Sequence, residues 1–199
     1  MPPVPPLLPP AGGATVRMYR QGHGDCFLLA FPRAGGGRPV YVLIDCGYKP
    51  GSQAFLDHGQ GIGDVVAHLH ASCGGRLDLA ILTHEHQDHL NGIWKKNEPY
   101  FAEFEIEEAW VAWTEDPDHP LANELRTRHR DQLLGLLGAR RELALELGGG
   151  EERPGLAGML AAAEDPEKSV NKQAMRLIKD KAAAREEPFA LLHRVEEVR

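Results

Sequence analysis

The amino-acid sequence predicts an α/β fold, with strands concentrated in the first 113 residues and a mostly helical second half. Three features carry that expectation. Short apolar runs rich in β-formers occupy 25–31, 40–46 and 77–83. Apolar side chains recur at helical spacing over 62–72, and again at i, i+3/i+4 beyond residue 118. The 199 residues, 42% hydrophobic and 26% charged, suit one domain able to bury a core. With 22 basic against 29 acidic side chains the formal charge is −7, which argues against binding nucleic acid or a membrane surface by bulk charge. No run approaches the ~18 apolar residues of a membrane span. Cys26, Cys46 and Cys73 include no C-x-x-C pair, so neither a disulfide framework nor a zinc ribbon is indicated, and a reduced, cytoplasmic setting is expected.

Residues 1–13 begin MPPVPPLLPP, whose six prolines forbid the helical apolar segment of a secretory signal and predict an extended, disordered tail. Residues 14–20 (ATVRMYR) predict a strand with Val16 and Met18 on one face. The runs 25–31 and 40–46 predict two more strands, joined by the flexible connection from Pro32 to Pro39. Ile62, Val65, Val66 and Leu69 predict a helix that Gly74-Gly75 closes. LDLAILT (77–83) reads as a buried strand, and EEAWVAW (107–113) as the next, with a short helix expected between Asn91 and Lys96. Asp118 and Pro120 mark a helix start, followed by a stripe of Leu125, Leu133, Leu136, Leu137, Ala144 and Leu147. Asp165-Pro166-Glu167 starts a second helix, expected to run to about Glu187, and residues 188–199 fit either a strand or a frayed helix. The expected division is therefore a tail (1–13), an α/β part (14–117) and a helical insertion or extension (118–199).

The chemistry concentrates in His84-x-His86-x-Asp88-His89, directly after the 77–83 strand. Neutral imidazole and carboxylate are good ligands for zinc and similar divalent ions. Histidines at i and i+2 point the same way on extended backbone, and a tight loop brings Asp88 and His89 to the same cavity. The C-terminal end of a buried strand is where α/β sheets form their clefts. The spacing is not that of an H-E-x-x-H helix, because the residue four after His84 is Asp88. Cys46 reads as a small buried residue, Cys73 as a helix-end residue before Gly74-Gly75, and Trp94, Trp110 and Trp113 as core or cleft walls.

These residues resemble the metallo-β-lactamase-fold superfamily. THEHQDHLNG (83–92) is similar to its H-x-H-x-D-H motif, LIDCG (43–47) to its strand followed by Asp-x-Gly, and RQGHGDCFLL (20–29) to the glycine turn of the branch related to the competence protein that handles incoming DNA. The likeness covers roughly residues 14–113 and implies an αββα sandwich, of which only the first β-layer with its helices is recognisable here. It implies that His84 and His86 bind one metal ion, that Asp88 and His89 bind a second, and that Asp88 orients the attacking water or accepts its proton. Asp45 would orient the ligands by hydrogen bonds without binding metal, and His23 and Asp25 would lie near the substrate. The implied activity is a zinc-dependent hydrolase using a metal-bound hydroxide on a small-molecule or phosphodiester substrate, nucleic acid being suggested by the glycine turn and only weakly supported given the acidic net charge.

After Trp113 the chain offers only His119, His129 and His193 as further imidazoles: the first two read as solvated surface, and His193 fits a strand end without a glycine-flanked setting. Asp165 reads as a helix cap and Asp180 as part of a charged helix. The expectation is an N-terminal half of a larger metallo-hydrolase plus a helical segment. An alternative function follows: a non-enzymatic half-domain acting as a binding or interaction module. A sheet without its second layer exposes an apolar face, which predicts self-association or pairing with a complementary chain.

Overall fold

A computed structural model of the chain describes residues 4–49, 52, 61–95, 98–116, 118–146, 170–183 and 190–192. Among the described residues, eight strands and four helices follow one another: β1 (Thr15–Met18), β2 (Cys26–Phe31), β3 (Val40–Cys46), α1 (Ile62–Cys73), β4 (Arg76–Leu82), α2 (Gln87–Leu90), β5 (Trp94–Lys95), β6 (Glu98–Pro99), β7 (Glu105–Ala112), α3 (Pro120–Glu146), α4 (Val170–Ala183) and β8 (Ala190–Leu192), with a 3-10 turn at Trp113–Glu115. Six strands form one mixed sheet in the order β1-β2-β3-β4-β7-β8, and β5 pairs with β6 separately. The hairpins β1-β2 and β2-β3 are antiparallel, whereas β4 and β7 join parallel to β3 and to each other, as helical crossovers require. The chain is α/β, as its sequence predicts.

Register explains where the core lies. Leu28, Leu43, Ala80 and Ala109 form one row across β2, β3, β4 and β7, and all four are fully buried. This row faces α1, because Arg17, opposite Leu28, reaches over to donate to Ser72 Oγ at 2.6 Å. Val65, Val66 and Leu69 of α1 close over it, each burial of a large apolar side chain contributing ~1.5–3 kcal/mol. Gly74 ends α1 in the left-handed region (φ 66), the position that the Gly74-Gly75 pair predicts. The adjacent row, Phe27, Ile44, Ile81 and Trp110, points the other way and is only half-buried. It continues into β1, where Val16 and Met18 are 60% and 64% exposed. These two share a face as expected, but it is the outer one, and Arg17 takes the inner position.

Several expectations are corrected. Described residues 4–13 are not a loose tail: Leu7 is buried, donates its N–H to Ser72 O at 2.9 Å and accepts from Tyr41 Oη at 3.0 Å. A proline-rich segment loses little entropy on ordering, so one apolar anchor and two hydrogen bonds suffice to pin it. The helix expected after Asn91 comes earlier, at α2, and Trp94–Lys95 are strand. In α3 the leucine stripe is not a buried face where its side chains are described: Leu125 is 42% and Leu136 71% exposed. Leu133, Leu137, Ala144, Leu147, Asp165 and His193 lie outside the residues or side chains described. The C-terminal ambiguity resolves at Ala190–Leu192, a strand parallel to β7. Helix α4, beyond residue 117, packs on β7, and its Ala174, Met175, Ile178 and Ala182 share the buried cluster of the strands.

Candidate metal centre

Strands β3 and β4 run parallel and end side by side, the first in Asp45-Cys46, the second in Thr83 and the extended stretch that carries His84, Glu85 and His86. The backbone then turns into α2, which carries Asp88 and His89. Glycines let the neighbouring loops reach this turn. A Cβ on Gly47 would lie 2.4 Å from both the Asp88 carbonyl carbon and the His89 nitrogen, and one on Gly24 (φ +145) 2.4 Å from Asp88 O. Contact this close brings Asp25 N within 3.2 Å of Asp88 O, and Gly47 N within 3.0 Å of Asp25 O. Gly47 and Gly24 thus have one shared physical task, packing two turns onto α2.

Asp45 organises the centre from beneath. It is 1% exposed and, at φ 51, is the one described non-glycine residue with a left-handed backbone, a conformation that Asp adopts more readily than most residues. Its carboxylate accepts from Thr83 N at 2.9 Å, from Thr83 Oγ1 at 2.5 Å and from His89 Nδ1 at 2.8 Å. A carboxylate only accepts, so His89 carries its proton on Nδ1 and keeps the Nε2 lone pair free. Thr83 Oγ1 gives its proton to Asp45 and lies 2.9 Å from His84 Nδ1, so it accepts from that nitrogen and leaves His84 Nε2 free as well. One buried acid therefore fixes two imidazoles in the ligating tautomer.

The remaining site residues gather above. The ring of His84 lies 3.8 Å from that of His89 and 4.7 Å from that of His86, centroid to centroid. Burial pushes the His84 pKa below its usual 6.5, and the adjacent His89 and His86 rings push the same way, which favours the neutral, ligating form. Asp88 Oδ2 is 3.9 Å from His89 Nε2 and 3.7 Å from His23 Nε2. Asp25 Oδ2 is 3.6 Å from His89 Nδ1, and the ligand atoms of Asp25, Asp45 and His89 all lie within 4.8 Å of one another. Two metal–ligand bonds of ~2.0–2.2 Å span at most ~4.4 Å, so one divalent ion fits between His89 Nε2 and Asp88 Oδ2. A donor set of imidazole and carboxylate without thiolate suits zinc and its borderline neighbours.

Of the seven residues singled out in the sequence (His23, Asp25, Asp45, His84, His86, Asp88 and His89), the group whose ligand atoms all come within 4.8 Å of one another among the described residues is Asp25, Asp45 and His89. His84 joins it through the His89 ring, Asp88 lies beside His89 and His23, and His86 is exposed against the His84 ring. Asp25, its side chain 46% exposed, lies on the Nδ1 side of His89, the side that Asp45 holds. His119 stands apart, its Nδ1 accepting from Ala122 N at the start of α3, and His129 is exposed on that helix. Sequence reasoning missed Thr83, whose hydroxyl comes between Asp45 and His84 only through the register of β3 against β4. It also missed Lys172, which α4 brings against Glu85 from 87 positions along the chain, and no local pattern reveals that. Cys26 and Cys46 face each other across β2 and β3 as buried free thiols, and their mutual hydrogen bond, with burial, raises the Cys26 pKa well above its ordinary value. No protein-family model and no curated protein sequence matches the chain.

Proposed function

We propose that the chain is a metal-dependent hydrolase of the metallo-β-lactamase type, with zinc as its preferred ion. The observation that supports this reading is the convergence of His84, His86, Asp88 and His89 at the ends of two parallel strands, over a buried carboxylate that fixes the imidazole tautomers. His84 and His86 would hold one ion and Asp88 and His89 a second, with Asp25 on the His89 side of the centre. When bound, zinc lowers the pKa of a coordinated water from ~15.7 to ~7 and polarises the oxygen of the bond to be cleaved. The chain's own residues supply the rest. Asp88 orients the attacking water and takes up its proton, Asp45 and Thr83 hold His89 and His84 in register, and His23, 70% exposed beside Asp88, contacts the substrate. Esters, lactones, lactams, thioesters and phosphodiesters all present the polarisable oxygen this chemistry needs. In the same reading the six-stranded sheet is the first β-layer of an αββα sandwich, its half-buried outer row being the face a second layer would cover.

A second reading, an interaction module without turnover, is favoured by the exposure of Val16 and Met18 on that outer face. The two separate cleanly. The wild-type chain, dialysed against zinc and assayed for metal content and for turnover on an ester and phosphodiester panel, is expected to hold zinc and to lose its activity to chelator. His84→Ala and His86→Ala are expected to lose the bound metal. Unchanged zinc content in both variants overturns the metal reading, and zinc binding without turnover on any substrate favours the module.

A further inference from the structure

We infer that Lys172, from α4, is a positioning residue of this centre, clamping the ligand-bearing stretch 83–86 to the body of the domain. The inference rests on the metal reading above and adds to it a residue from a part of the chain that carries none of the motifs. Residues 83–86 have no strand or helix to hold them, yet they carry two of the four proposed ligands. On extended backbone, side chains alternate, so Glu85 points away from the side of His84 and His86. On that far side it meets Lys172 Nζ in an ion pair. The same ammonium accepts no proton; it donates to Glu115 Oε2 at 2.8 Å, and the Glu115 side chain is only 7% exposed. Lys172 therefore spans from the 3-10 turn after β7 to the middle of the histidine motif. Its own helix is seated by Ala174, Met175 and Ile178 in the shared core, so the anchor is rigid. The arrangement is asymmetric in a useful way: the Glu115 end is buried and fixed, the Glu85 end half-exposed and attached to the element that must be held.

Charge alone and clamping make opposite predictions. Lys172 is a cation beside a proposed divalent site, so removing it alone tightens zinc binding by electrostatics, and removing it together with the Glu115 carboxylate leaves the local charge unchanged and predicts no weakening. Removing a clamp weakens it. The test is Lys172→Met combined with Glu115→Gln, the second change avoiding a buried unpaired carboxylate. Zinc affinity is read by competition with a chromophoric chelator, and the geometry of the site by the visible absorption of the cobalt-substituted chain. The double variant is expected to bind zinc about three- to fivefold more weakly, the scale of a half-exposed ion pair, with an altered cobalt spectrum. Lys172→Arg, which can still reach both carboxylates, is expected to restore both. Equal or tighter binding in the double variant overturns the clamp, whereas a wild-type chain that binds neither zinc nor cobalt overturns the metal reading itself. Should the double variant not fold, Glu85→Gln, which leaves the Lys172–Glu115 pair intact, decides: unchanged affinity and spectrum overturn the inference.

Discussion

At the scale of the residue, most of the site's order passes through Asp45. Three donors converge on its carboxylate, it is buried, and its backbone is held at φ 51. Replacing it by asparagine keeps the volume and tests the acceptor role alone, since the amide nitrogen cannot accept from Thr83 or His89. Asp45→Asn is expected to weaken zinc binding by about 10- to 100-fold, the usual effect of losing a group that orients a metal ligand. It is also expected to lower the stability of the metal-free chain by ~1–3 kcal/mol, because buried donors lose their partner. Chelator competition and thermal melts of the metal-free chain measure the two effects separately. Asp45 was legible in the sequence as a strand-ending acid supporting the site. Its partner Thr83 was not, because a threonine at the end of a β-rich run is first of all a β-former, and only the register of β3 against β4 puts its hydroxyl between Asp45 and His84.

At the scale of the element, the glycines divide into those that geometry demands and those it tolerates. Gly47 has no room for a Cβ against the backbone of α2, and neither side of that contact is a flexible side chain. Gly135, inside α3, has open space around it and an ordinary helical setting. The same substitution should therefore act with opposite sign: Gly47→Ala destabilises by ~1–3 kcal/mol through enforced displacement of the turn, and Gly135→Ala stabilises by up to ~1 kcal/mol by relieving the unfolded chain's excess entropy. Urea melts of both variants give the comparison, and Gly47→Ala is further expected to loosen zinc binding because the displaced turn carries Asp88 and His89. The long elements were legible for the reason that makes them stable. Leu28, Leu43 and Ala80 alternate with half-buried residues at period two, and Ile62, Val65, Val66 and Leu69 repeat at helical spacing. Helix α2, with four residues, and strand β5, with two, are too short to show any period, and it is tertiary packing that shapes them. The leucines of α3 show the converse error: helical spacing identified the helix but not what its apolar side chains would meet.

For the whole molecule, the question is whether α4 is an appendage or part of one cooperative unit. Local composition argues for the former, since strands give way to charged helical sequence near residue 117, and no pattern within 170–183 announces what it will pack against. The packing argues for the latter. Met175 is 2% exposed and belongs to the same cluster as Leu28, Leu43 and Ala80, while Lys172 on the same helix grips the histidine motif. Met18 offers the internal control: the same residue type, 64% exposed on the outer face of β1. Met175→Ala is expected to destabilise by ~2–5 kcal/mol, a buried side chain lost from a core, and Met18→Ala to change stability by no more than ~0.5 kcal/mol while reducing binding of a hydrophobic dye. The discriminating measurement is the shape of the transition rather than its midpoint. If α4 and the sheet unfold together, Met175→Ala shifts the tryptophan fluorescence of Trp110 on β7 and the far-ultraviolet circular dichroism to one common, lower midpoint. If α4 comes away alone, the dichroism loses part of its amplitude early while most of the sheet's transition stays where it was. Zinc binding should follow the same division: in a single unit, the loss of α4 packing raises the zinc concentration needed for half-saturation, because the clamp on residues 83–86 is only as firm as the helix that carries it.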